Sequence, residues 1–157
     1  MAELVASQVL DVHVEFHAFA LQEADDMEVP APFPEELETS PEPAFLTAHD
    51  KRLDFASAGH THHAALTAEV WSGEPPMHAG ESWEAQGEAE ILSTTGELSV
   101  ETMSGVAAET VVELGRPETL WRVRAYGSGR AEVARLAAVD VPEGVERYLV
   151  QFWPSGS

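Results

Sequence analysis

Seven histidines and no cysteine make histidine the first side chain in this sequence with metal-binding chemistry to consider. His13, Glu15 and His17 alternate along one apolar run, which predicts that they share the polar face of a β-strand. Residues two apart on such a face lie about 6.6 Å from each other and can bind one metal ion, whereas residues four apart are about 13 Å apart and cannot. His60 and His62 repeat the two-residue spacing.

A zinc or copper site built from two strands would therefore use His13, Glu15, His60 and His62. The alternative is that these histidines lie on the surface and pair with the carboxylates of a very acidic protein. No other cofactor is predicted.

Carboxylates are the second group whose spacing suggests chemistry. Five of them fall on the polar faces of two alternating runs joined by Thr94-Thr95-Gly96-Glu97, a sequence typical of a tight hairpin turn. They are Glu84, Glu88, Glu90, Glu97 and Glu101. The spacing matches neither a calcium-binding loop nor a glycosidase pair. Because like charges facing each other destabilise a hairpin, such a face calls for a compensating cation or a basic protein.

Nucleophilic catalysis is not indicated. Cysteine is absent, Ser104 and Ser128 each precede a glycine in a predicted turn, and neither a nucleophile elbow nor a phosphate-binding loop occurs. We therefore expect a protein that is not an enzyme. Five arginines toward the C-terminal end could bind a phosphate or carboxylate, although pairing with the acidic strands is the preferred interpretation. These are Arg122, Arg124, Arg130, Arg135 and Arg147.

The formal net charge of −20 is extreme for 157 residues and is unevenly distributed. Residues 116–157 hold six bases and five acids, while residues 1–115 hold 23 acids and two bases. Such a field repels nucleic acid and anionic membranes and favours basic proteins or cations as partners. Solubility alone is the competing explanation of the charge.

Short alternating runs separated by glycine and proline predict an all-β fold, an antiparallel β-sandwich of about eight strands in a single domain over residues 1–157. The predicted strands cover residues 8–22, 52–58, 62–71, 83–91, 98–103, 108–114, 120–126 and 147–153. In the strand over 120–126, Trp121, Val123 and Ala125 face the core, and the strand over 147–153 is covered on both faces. A short helix is predicted over 130–138 with Ser128 as its cap, and residues 23–43 form an acidic, proline-rich loop.

The cellular compartment is indicated by two absences. A small domain without cysteine is typical of a reducing compartment, and the sequence shows neither a signal peptide nor an apolar stretch near 18 residues. We therefore expect a cytoplasmic protein. The oligomeric state is left open.

Three stretches carry a resemblance to known proteins: residues 12–21 (VHVEFHAFAL), 121–130 (WRVRAYGSGR) and 147–154 (RYLVQFWP). Through them the chain resembles a family of uncharacterised small proteins from high-GC Gram-positive bacteria. More distantly it resembles the competence protein J group of nuclease inhibitors, β-sandwich proteins that open on a similar aromatic strand and end on a strand with a Tyr-Leu-x-x-Phe run. This resemblance implies a non-catalytic inhibitor of a nuclease and assigns no inhibitory residue.

The leading functional hypothesis is an acidic protein-binding module of the nuclease-inhibitor or immunity type, which engages a basic protein. The partner-binding residues predicted for it are Glu84, Glu88 and Glu90, with Glu35, Glu36 and Glu38 as a second contact. A metal-binding or small-molecule-binding sandwich that uses the histidines is the alternative. A structural protein that self-associates through an edge strand is a third possibility.

Overall fold

In the computed structural model of the protein, residues 2–15, 17–24, 45–49, 51–76, 83–102 and 111–155 are described. They form ten β-strands and one α-helix. The strands are β1 (Leu4–Val14), β2 (Ala18–Glu23), β3 (Leu46–His49), β4 (Arg52–Ala56), β5 (His62–Trp71), β6 (Ala85–Ser93), β7 (Glu97–Thr102), β8 (Val111–Glu113), β9 (Thr119–Ser128) and β10 (Glu143–Pro154). The helix α1 spans Arg130–Leu136.

The strands form two five-stranded sheets. Sheet I has the order β1-β5-β10-β9-β6, and sheet II has the order β3-β4-β2-β7-β8. The pairings are antiparallel apart from the parallel pair of β5 and β10. The predicted all-β class with one short helix is confirmed, with ten strands in place of about eight. No helix in the described part of the chain is long and apolar enough to cross a membrane.

The run over residues 8–22 is two strands, so the prediction of one strand is wrong. Its buried large side chains fall at even positions up to Val14 and at odd positions from Phe19 onward, so the alternation changes phase between them. At the break, His17 has a positive φ of 63°, and its backbone N–H donates to His60 O. The chain thereby leaves sheet I at the end of β1 and enters sheet II as β2.

The core lies between the sheets and draws buried side chains from both. Trp121, Val123 and Ala125 are buried in β9, as predicted. Across the core, the Phe19 ring of sheet II packs edge-on against the Tyr148 ring of sheet I, with 5.0 Å between centroids. Burial of each such aromatic side chain contributes about 1.5 to 3 kcal/mol.

The outer face of sheet I is also covered, which explains why β10 is buried on both sides, as predicted. The connection from β5 to β6 contributes Glu74 and the Pro75 carbonyl, which both accept hydrogen bonds from Arg124. Trp83 packs on Tyr126 with ring centroids 5.1 Å apart. Arg124 also lies 5.2 Å from the centre of the Trp153 ring. A cation on β9 is therefore held between carboxylates and an aromatic ring.

The helix begins where predicted, but Ser128 does not cap it. Ser128 belongs to β9, and the residue before the helix is Gly129, with φ 71° and no side-chain cap. A Cβ atom at Gly129 would lie 2.0 Å from Val145 O. The turn therefore requires glycine both for its left-handed backbone and for its close approach to β10.

Replacement of Gly129 by alanine tests this requirement, with Gly144→Ala as the matched control. Both glycines have positive φ, but a Cβ atom at Gly144 meets nothing within 4 Å. We expect Gly144→Ala to lower the free energy of unfolding by about 1 to 2 kcal/mol from backbone strain alone. Gly129→Ala adds a steric clash and should cost about 2 to 5 kcal/mol. Urea denaturation measures both values, and equal losses would contradict the close approach.

Candidate functional site

Three of the predicted partner-binding carboxylates lie along the outer face of β6, the strand at one edge of sheet I. Glu88 and Glu90 alternate with inward-facing residues and are exposed. Glu84 precedes the strand, is exposed, and continues the pairing with β9 through its backbone N–H, which donates to Gly127 O at 2.8 Å. We refer to Glu84, Glu88 and Glu90 as the acidic row.

The three carboxylates of the acidic row differ in their intramolecular partners. Glu88 accepts a hydrogen bond of 3.2 Å from Arg124 Nε. Glu84 accepts one of 3.0 Å from the backbone N–H of Ala131, in the first turn of α1. Glu90 lies opposite Arg122 in the β6–β9 register but forms no ion pair with any described residue. Two carboxylates are thus positioned by the protein, and the third keeps its charge available for a partner.

Glu97 and Glu101 do not join the acidic row, so the predicted five-carboxylate hairpin is wrong. The turn after β6 carries the chain from sheet I to β7 in sheet II. Glu23, a buried residue at the end of β2, fixes this corner. Its carboxylate accepts hydrogen bonds from Ser93 Oγ at 2.7 Å and from the Thr95 backbone N–H at 3.1 Å.

The second predicted contact, Glu35, Glu36 and Glu38, lies outside the described residues, as does most of the acidic, proline-rich loop at 23–43. The part that is described ends β2 and includes the buried Glu23. The proposed role of these three residues therefore stays a prediction.

The four predicted metal ligands do not converge on one point. His13 Nδ1 lies 3.8 Å from Glu15 Oε1, and the His13 ring stacks on His63 with centroids 4.7 Å apart. His60 is exposed, whereas His62 is fully buried. Among the described residues, no group of three His, Asp or Glu side chains has the geometry to hold a metal ion.

A buried carboxylate network escaped the sequence analysis. Glu146 in β10 is fully buried and points inward like its neighbours Tyr148 and Val150. Its hydrogen-bond donors are the Ser57 hydroxyl at 2.6 Å, the Tyr148 hydroxyl at 2.6 Å, the Ala58 backbone N–H at 3.0 Å and Arg130 Nη1 at 3.3 Å. Two of the four donors, Ser57 and Ala58, lie 89 and 88 positions away in sequence, so spacing could not reveal the network. The sequence feature that could have indicated the network is Glu146 itself, an acidic residue at an inward-facing position of an apolar strand.

Ser57, His62 and Glu146 have the composition of a hydrolase triad but not its hydrogen bonds. The Ser57 hydroxyl donates its one hydrogen to Glu146, so the 2.8 Å contact with His62 Nε2 needs the donor on histidine. A histidine that donates to the serine cannot be its general base. All three side chains are also buried, so the geometry favours a structural role.

The pKa values of two network members reflect this burial. Burial lowers the pKa of His62 below its ordinary value, and the nearby Glu146 carboxylate only partly opposes the shift. Burial also raises the pKa of Tyr148 well above its ordinary value, and the charge of Glu146 adds to the effect. His62 Nδ1 has no hydrogen-bond partner among the described residues, and a backbone hydrogen bond at His63 opposes the effect of burial only in part.

Acidification should therefore destabilise the protein through His62. Its folded pKa lies below its unfolded value of about 6.5, so this stability is present above pH 6.5 and is lost as the pH falls toward the folded pKa. One proton contributes at most about 1.4 kcal/mol per pH unit. We expect His62→Gln to reduce the pH dependence of the unfolding free energy, while His60→Gln, at an exposed position, retains it. Coincident pH profiles for the wild type and His62→Gln would contradict this role.

Known structures share this fold over the whole chain. ComJ from Bacillus subtilis, an inhibitor of the DNA degrading activity of NucA, matches with a TM-score of 0.62 and 14% identity over 98% of each chain. A protein described as crocagin biosynthetic gene J matches with a TM-score of 0.60 and 12% identity over 99% of each chain. No protein-family model and no curated protein matches the sequence. At these identities the likeness concerns the fold, and at that level the predicted resemblance to the competence protein J group is confirmed.

Proposed function

We propose that the protein is a non-catalytic inhibitor that binds a basic, DNA-degrading enzyme through the acidic row. The observation that carries this proposal is the row itself, two exposed carboxylates on an edge strand and one just before it, in a protein with a net charge of −20. The fold that it shares with a nuclease inhibitor supports the same function.

The chemistry of the partner explains the choice of residues. A protein that binds DNA neutralises phosphates with lysine and arginine side chains. Carboxylates on one strand face lie about 6.6 Å apart, close enough for Glu88 and Glu90 to engage neighbouring cations. They would occupy the cations that the substrate phosphates need, and DNA would be excluded without any covalent step.

The intramolecular contacts of the row prepare it for binding. Glu84 is held at the start of α1 and Glu88 is held by Arg124, so these side chains lose little conformational freedom when a partner binds. Arg124 leaves part of the Glu88 carboxylate accessible, since that side chain is 55% exposed. Glu90 forms no ion pair with a described residue, so its carboxylate can engage a partner. Glu35, Glu36 and Glu38 supply the second contact in this proposal.

Long-range attraction should govern the rate of association. The excess of 21 negative charges in residues 1–115 attracts a basic partner before contact, although salt limits the reach to about 8 Å at physiological ionic strength. The complex should therefore form quickly at low salt and more slowly as salt is added.

Capture from the native cell lysate tests the function. The immobilised protein is washed at low salt and then eluted with a salt gradient, and each fraction is assayed for DNA degradation. We expect a basic protein that elutes at moderate salt, degrades DNA, and is inhibited by free protein. Captured proteins without nuclease activity, or with activity that the free protein leaves unchanged, would contradict the proposal and favour solubility as the role of the charge.

Glu90→Lys tests the acidic row without disturbing an intramolecular ion pair. Its control is Glu143→Lys, the same charge change at an exposed position on β10. We expect Glu90→Lys to slow association with the captured nuclease roughly tenfold and to weaken its salt dependence, because a central attraction becomes a repulsion. Glu143→Lys should stay within about twofold of the wild type. Stopped-flow fluorescence measures the rates, and equal slowing by both variants would place the contact elsewhere.

A further inference from the structure

The opposite edge of sheet I has very different properties from the acidic row. It is β1, an eleven-residue strand whose one strand neighbour among the described residues is β5. Three large apolar side chains of β1 are exposed: Leu4 by 49%, Val5 by 65% and Val9 by 75%. Long, apolar edge strands readily pair with another strand, and natural proteins usually protect them.

The other edges of the two sheets are protected in ways that β1 is not. β6 carries the acidic row, and β3 has four residues. β8 has three residues and is covered by the side chain of Gln8, which donates to Val111 O and accepts from the Glu113 backbone N–H. β1 itself has no proline, lysine or arginine, and its one irregularity lies near its start, between Leu4 and Ala6.

Charge decides which partner suits this edge. Asp11 is the one acidic residue of β1, so the strand is a nearly neutral strip on a protein with a net charge of −20. A basic partner would gain little electrostatic attraction at β1 and would gain more at the acidic row. A neutral, apolar strand edge fits β1, and β1 of a second copy is such an edge.

We propose that two copies of the chain pair through antiparallel β1 strands, with Val9 of each copy opposite Val9 of the other. In this register Asp11 faces Ser7 of the second copy, so no carboxylate faces another within β1, and Glu3 and Glu15, which flank the strand, face each other at its two ends. The exposed Val9 side chains become an apolar cross-strand pair. The two copies of sheet I then form one continuous ten-stranded sheet, a closed two-fold arrangement in which the protected edges prevent further growth.

Repulsion between the two copies gives the dimer a recognisable salt dependence. Two molecules that each carry −20 repel each other over about 10 Å at 0.1 M salt and less as salt is added. Salt should therefore strengthen self-association, whereas it weakens the attraction of a basic partner. The opposite signs separate this inference from the proposed function, and either can fail while the other holds.

Sedimentation equilibrium over a range of protein concentrations tests the dimer, with Val9→Lys as the blocking variant and Val139→Lys as the matched control. Both changes place lysine at an exposed valine, and Val139 lies between α1 and β10, away from β1. We expect the wild type and Val139→Lys to shift from 17.0 kDa toward twice that mass as protein and salt increase. Val9→Lys should raise the dimer dissociation constant at least tenfold.

Amide hydrogen exchange provides the second readout. In concentrated wild-type protein, the β1 amides should exchange more slowly than in dilute protein, and Val9→Lys should abolish the difference. A wild type that stays at 17.0 kDa in high salt would overturn the proposal. So would a dimer that Val9→Lys and Val139→Lys weaken equally, or one whose β1 amides gain no protection.

Discussion

The buried carboxylate of Glu146 is the interaction on which the other parts of the structure depend. Its donors come from the connection between β4 and β5, from β10 and from the first residue of α1. Loss of one partner of a buried charge pair costs about 3 to 5 kcal/mol, so these segments are fixed relative to one another. Arg130 also lies over the Phe45 ring, and that ring fills the space where a Cβ atom at Gly127 would be. The network thus positions α1, whose Ala131 N–H in turn holds Glu84.

The small number of basic residues also makes the interior and the surface differ in how their carboxylates are paired. Only eight lysine and arginine residues accompany 28 acids, and the described structure uses several arginines for buried or covered contacts. Arg52 pairs with Asp54 inside, Arg130 binds Glu146, and Arg124 lies under Glu74 and Glu88. Hydroxyl groups and backbone N–H groups satisfy the buried Glu23. Glu90, an exposed carboxylate, consequently forms no ion pair with a described residue, which is the property that the proposed function uses.

Local alternation in the sequence predicted which residues face the core, and it failed where long-range contacts decide the path of the chain. The inward positions of β9 and the double burial of β10 followed from Trp121, Val123 and the apolar run after Arg147. The division at His17 did not follow, because Ala18 and Ala20 keep an apolar alternation across the break. The corner after β6 looked like a hairpin because Thr94 and Gly96 also suit a turn between sheets. Whether the turn stays in one sheet or crosses to the other depends on the hydrogen bonds to Glu23, about seventy residues earlier.

The candidate site could be predicted in part for the same reason. Glu84, Glu88 and Glu90 share a face because a strand alternates, which is a local property. Glu146 and its donors meet only after the chain has folded, since the Ser57 contact spans 89 positions. His62 shows the difference most clearly. Its spacing from His60 suggested a shared metal site, yet the first position is exposed and the second is buried beside Glu146.

Inhibition of a nuclease is tested most directly when the captured nuclease is titrated with the purified protein. The rate of DNA cleavage is measured at each salt concentration and compared with that of the uninhibited enzyme. We expect cleavage to fall to a stoichiometric end point at low salt, and we expect inhibition to weaken as salt is raised. Cleavage that persists at a saturating excess of the protein, or inhibition that is insensitive to salt, would contradict an acidic inhibitor that competes with DNA for the cations of its partner.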